Sequence, residues 1–161
     1  MNLDNIKELS QLQQEYLKIS NEIKTTISTK KQEFINLTTQ NYINFLKSEG
    51  FKTEETNGVL ISDYMGTTIR LSSNLLKLEI LKPITKSYDI KIKKFDEDYT
   101  PVLFDNPQTN EEILVEIDKL KKDIEKANET LIQQNGKYYF VLEEGNQTFN
   151  TFDALLEDVF K

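Results

Sequence analysis

"GVLISDYMGTTIRLSSNLLKLEILKPITKSYDIKIKKF", residues 58–95, alternates apolar and polar side chains with a period of two. That period sends successive side chains to opposite faces of an extended chain and predicts β-strands. The runs GVLISDY (58–64), TTIRLS (67–72), LLKLEIL (75–81) and YDIKIKKF (88–95) are parted by Met65-Gly66, Ser73-Asn74 and the surroundings of Pro83. Links this short join antiparallel neighbours, so the four runs read as a meander. Ile69, Leu71, Leu76, Leu78, Ile80, Tyr88, Ile90 and Ile92 fall on one face; Arg70, Lys77, Glu79, Asp89, Lys91 and Lys93 fall on the other. A sheet with one dry face needs helices to cover that face.

Helices lie on both sides of this stretch. Leu9, Leu12, Tyr16, Ile19 and Ile23 are spaced three or four apart, a heptad seam. The pattern falters in KTTISTKK (24–31) and resumes out of step at Ile27, Phe34 and Leu37, then Tyr42, Phe45 and Leu46, with Gly50 as the stop. Residues 1–49 therefore read as one long helix with a stutter, or as a bent pair. After the sheet region (51–104), with an edge segment expected at Val102–Phe104, residues 109–135 open with a Thr109–Glu112 capping box. Their apolar positions Ile113, Ile117, Leu120, Ile124, Ala127 and Leu131 form the cleanest heptad in the chain. A last strand, KYYFVLEE (137–144), leads to a closing helix capped by Thr151 within 137–161. The order α-ββββ-α-β-α defines an α+β fold in a single domain, 1–161, with heptad-patterned helices on one face of a four-stranded meander plus one further strand.

Composition removes several chemistries. There is no His, Cys or Trp, and Arg70 is the only arginine. Ser-His-Asp and Cys-His catalysis and ordinary zinc sites are excluded. Bidentate recognition of phosphate or guanine is nearly so, which makes nucleic acid an unlikely partner. The five glycines form no phosphate-binding loop. Asp96 and Asp98 in FDEDY (95–99) come nearest to a metal or acid–base pair, but lack the glycine and distal glutamate of a calcium loop. No catalytic, cofactor-binding or metal-ligating residue is assigned, and no cofactor is expected.

The chain carries a formal charge of −7. Residues 1–50 are neutral, 51–95 carry +3 and 96–161 carry −10. An acidic last third suits a basic protein partner, such as a nucleic-acid groove that it would block. Arg70, Lys77, Lys91 and Lys93 form a small positive patch that an anion could read. The three helices offer more apolar stripe than a four-stranded sheet can cover, which points to a homo-oligomer built on a seam. Leu120, Ile124 and Leu131 are the candidate seam contacts, and Asp153, Glu157 and Asp158 the candidate acidic contacts. Phe152, Leu156 and Phe160 of the last helix are expected to pack inside the chain's own fold.

No apolar run approaches the ~18 residues a membrane span needs, and the start lacks a basic and an apolar leader region, so a cytoplasmic protein is expected. In element order and charge the outline resembles type III secretion chaperones, which implies a small, acidic, dimeric binding protein. Its composition is similar to that of acidic phage proteins that inhibit host nucleases. The expected function is a non-enzymatic protein–protein interaction module: an adaptor, chaperone or inhibitor. The alternative is a small-ligand-binding or divalent-metal enzyme using Asp96 and Asp98 near the sheet.

Overall fold

A computed structural model describes residues 1–72 and 74–161. Its elements are α1 (Leu3–Ser48), β1 (Lys52–Thr56), β2 (Val59–Tyr64), β3 (Thr67–Ser72), β4 (Lys77–Lys82), β5 (Lys86–Lys94), α2 (Asn110–Gln133), β6 (Tyr138–Leu142), a short 3-10 turn (Glu144–Asn146), β7 (Gln147–Phe149) and α3 (Phe152–Val159). The class is α+β, but the sheet has seven strands, not five, in the order β1-β2-β3-β4-β5-β6-β7 and antiparallel throughout. The chain divides into two compact units: residues 1–30 with 96–135, and residues 31–95 with 136–161.

The first unit holds the two heptads. Leu9, Tyr16, Ile19 and Ile23 of α1 are buried with Ile113, Ile117, Leu120, Ile124 and Ala127 of α2. The seams allow an antiparallel pairing with each other, a cover for the sheet or a homodimer; they close on each other, in a core of their own. The pair is parallel. Asn2 N–H and Asn5 Nδ2 donate to Asn110 Oδ1 at one end (3.3 and 3.1 Å), Glu8 meets Lys121 at 3.0 Å, and the Lys30 ammonium donates to the Gln134 carbonyl at the other end.

A parallel pair needs a connection as long as the helices, and residues 96–109 supply it. The 24 residues of α2 rise about 36 Å, and fourteen extended residues reach about 46–50 Å. This strap crosses the pair with Tyr99, Val102 and Phe104 packed on its core. Val102–Phe104 is not the expected edge strand: it pairs with no strand among the described residues. It is pinned by side chains instead. The Val102 N–H donates to Tyr16 Oη (2.9 Å), Tyr16 and Tyr99 share a hydroxyl–hydroxyl bond of 2.9 Å, and Asp105 pairs with Lys119 at 3.0 Å. The Lys119 ammonium holds the Asp105 carboxyl below the usual carboxylate range.

The second unit is the sheet, with residues 31–48 of α1 and with α3 on its inner face. Its core contains Tyr42, Leu46, Leu60, Ile69, Leu71, Leu78, Ile90, Phe140, Phe152, Leu155 and Leu156. Phe152 and Leu156 thus pack inside the fold as expected, and Phe160 joins the core's edge. Thr151 caps α3 by accepting from the Ala154 N–H, and Thr109 and Glu112 make the expected capping box. Burial presses the Tyr42 phenol strongly towards its protonated form. Its hydroxyl finds no well-formed hydrogen bond among the described residues, and the Ser62 hydroxyl alone opposes the shift.

α1 is one unbroken helix, and its stutter falls where its contacts pass from one core to the other, at Lys30 and Lys31. Beyond it the buried row is Thr38, Tyr42 and Leu46, spaced four apart, while Leu37 is exposed. Two strands were missed. Asn57 and Gly58, both at positive φ (50° and 75°), make a two-residue turn that folds the polar run KTEET back as edge strand β1. Likewise β7 pairs with β6 after the turn at Gly145. The alternation that predicts Leu76 inside runs one position out here: Leu75, at φ 58°, is the buried leucine, and Leu76 is half exposed. The Ser72 hydroxyl accepts from the N–H groups of Leu76 and Lys77, turning the chain there before β4 begins.

Candidate functional site

The second unit holds an open groove of about 770 Å³ with a mainly apolar lining. Local structure explains why its walls stand where they do. α1 ends in a Schellman turn: the Gly50 N–H donates to the Lys47 carbonyl (3.0 Å) and the Phe51 N–H to the Leu46 carbonyl (2.9 Å). Gly50 sits at φ 90°, and a Cβ there would stand 3.0 Å from the Tyr64 ring, so glycine alone suits the turn. The turn delivers Phe51 against Tyr64, ring centroids 5.5 Å apart. Phe45 and Leu46 of α1, the buried Ile69 of β3 and Ile80 of β4, Pro83 and Ile84 after β4, and Phe160 just past α3 line the groove. Tyr64 and Ile84 leave 44% and 58% of their surfaces exposed, well above what a closed core permits. Glu49 and Glu157 line the same groove with carboxylates.

A second, smaller pocket of about 350 Å³ lies in the first unit under the strap, lined by Asp96, Asp98 and Tyr99 with Tyr16, Asp123 and Lys126. It does gather the two aspartates singled out in the sequence. However, Asp96 Oδ2 accepts the Asn135 N–H at 3.2 Å, and among the described residues no group of three or more acidic side chains is placed to hold a metal. Tyr16, at this pocket's edge, has its phenol pushed up to about 12, first by burial and then by its bond to Tyr99.

The other candidates separate. Leu120 and Ile124 are buried between α1 and α2, and Leu131 packs at the margin of that core. Asp153 is exposed, Asp158 pairs with Lys161 at 2.6 Å, and Glu157 alone of the three lines the groove. Three of the four residues of the positive patch face carboxylates: Arg70 stands opposite Glu79, Lys77 opposite Asp89, and Lys91 pairs with Glu143 at 3.4 Å, while Lys93 stands opposite Tyr139. Sequence reading missed the groove. Its one local signal was the density of aromatics at Phe45, Phe51, Tyr64 and Phe160, which no single period connects.

No family model matches the chain, and neither a curated protein nor a solved structure matches it. No helix among the described residues is long and apolar enough to cross a membrane.

Proposed function

We infer that this chain is a non-enzymatic, acidic protein–protein interaction module that works by occupying a partner's surface. One observation carries the reading: an open apolar groove on a chain of charge −7, with exposed Tyr64 and Ile84 in its lining and carboxylates beside them. Apolar surface of this kind, framed by charge, is where soluble proteins take partners. The adaptor, chaperone and inhibitor roles all use such a surface, and the acidic balance favours a basic partner. A cytoplasmic setting goes with this reading.

The homo-oligomer is a separate matter. Leu120 and Ile124, which suggested it, are closed within the first unit, so a homo-oligomer would have to use apolar side chains that stay exposed on the helices, such as Leu37, Val115 and Ile132. Sedimentation at micromolar concentration tests it.

Affinity capture from the native host, followed by mass spectrometry and direct binding of the purified pair, tests the module. A partner that binds the pure chain without being chemically altered supports it. A divalent metal that raises the melting temperature, with a turnover that Asp96→Asn abolishes, would establish the enzyme alternative instead.

A further inference from the structure

The groove's lining also says what kind of partner it takes. Glu49 and Glu157 are exposed, and neither makes an ion pair among the described residues. Asp158, one residue on, is paired with Lys161. Two unpaired carboxylates beside an apolar floor are poorly suited to an anionic lipid or a fatty acid, whose head group they would repel. A neutral apolar ligand would leave them with water alone. A protein segment presenting a bulky apolar side chain next to a lysine or arginine satisfies both features at once. The apolar group displaces water from the Phe51, Tyr64 and Ile84 surfaces, and the cation settles at the carboxylates.

We propose that the groove lined by Phe51, Tyr64, Ile84 and Phe160 is the docking site for a basic, apolar segment of a partner protein, read through Glu49 and Glu157. The proposal rests on the interaction-module reading and makes it specific. The volume, about 770 Å³, admits two or three large side chains, which suits a short segment of chain better than a whole flat interface. Attraction at the carboxylates mainly speeds encounter and selects sign, so binding weakens as salt rises.

The test uses the full chain and two synthetic peptides of about a dozen residues, long enough for a single recognition element. One is built of leucine, phenylalanine and lysine; its twin carries glutamate at every lysine position. The lysine peptide is expected to bind and to shift the amide resonances of Tyr64, Ile84 and Phe160, and the glutamate twin to bind roughly tenfold more weakly or worse. Ile84→Asp and the double variant Glu49→Lys/Glu157→Lys change exposed side chains only, so both are expected to melt like the wild type. The first should weaken the lysine peptide, and the second should reverse the preference between the peptides.

Equal binding of the two peptides overturns the proposal, as do resonance shifts confined to other surfaces. Self-association of the wild-type chain that Ile84→Asp abolishes would make a second copy the occupant and overturn it too. A host partner that still binds both variants leaves the module standing and removes the groove as its site.

Discussion

Replacing Tyr16 by phenylalanine removes one oxygen and keeps the ring, including its edge-on contact with Phe104 at 5.8 Å and 72°. That oxygen holds the strap in two ways, as the acceptor for the Val102 N–H and as the partner of the Tyr99 hydroxyl, each at 2.9 Å. A buried donor left without an acceptor costs about 1–3 kcal/mol. Val102 is only partly buried and the pocket beside it admits water, so the lower part of that range applies, about 1–2 kcal/mol. Tyr99→Phe leaves the Val102 bond intact and should cost about 0.5–1 kcal/mol. Urea unfolding reads the totals, and amide exchange at Val102 reads the mechanism: protection there should fall in Tyr16→Phe and persist in Tyr99→Phe.

The phenol adds a pH signature. Its folded pKa of about 12 lies above the ordinary value of 10.0, so the protonated form is the one the fold favours. The stability this contributes is complete below pH 10 and is lost as pH rises from there through 12. Tyr16→Phe should remove that part of the alkaline decline. If Val102 exchanges equally fast in all three proteins, the strap is not held by Tyr16 and the reasoning fails.

Leu120→Asp places a charge at a position 1% exposed in the helix-pair core and should cost several kcal/mol, about 3 or more, measured by urea unfolding. A wild type that sediments as a dimer, and a Leu120→Asp chain that stays folded as a monomer, would show that the seam faces a second copy. Deleting residues 149–161 removes Phe152, Leu155 and Leu156, each worth roughly 1.5–3 kcal/mol of burial. That is a large share of the 5–15 kcal/mol typical of a domain, roughly half. The melting temperature should drop sharply; an equally stable truncation would make α3 an arm held for a partner. Met65 sits at φ 45° in the β2–β3 turn and is 89% exposed, so Met65→Asn should raise the urea midpoint by the equivalent of about 0.5–1 kcal/mol. A loss would mean the methionine makes a contact that its exposure hides.

Features with a local cause were legible in the chain itself. The heptads of α1 and α2 bury the predicted residues, with Leu12 and Leu131 at the margin, because a 3.5-residue period puts them on one side of a helix whatever lies opposite. The caps at Thr109 and Thr151 and the stop at Gly50 depend on neighbours within a few positions. The faces of β3, β4 and β5 follow from their alternation, except where the Leu75 turn shifts it by one. Strand β1 escaped because its inward residues, Thr53 and Glu55, are polar; pairing with β2 through the Asn57–Gly58 turn makes it a strand, not burial.

A period states that one face of a helix is covered and leaves open by what. Whether α2 would lie on the sheet, on another copy or beside α1 was decided by the length of the 96–109 strap and by Tyr16, Lys119 and Lys30, which fasten the strap and the end of α2. The stutter at residues 24–31 was visible as a fault in phase; only the folded chain shows it as the point where α1 changes cores. The groove is the same kind of fact. Phe45, Tyr64, Ile84 and Phe160 lie far apart in sequence, and backbone pairing in the sheet together with the packing of two helices brings them to one place. Long-range geometry of that sort has no local period, because contacts between distant segments are set by the closure of the whole core.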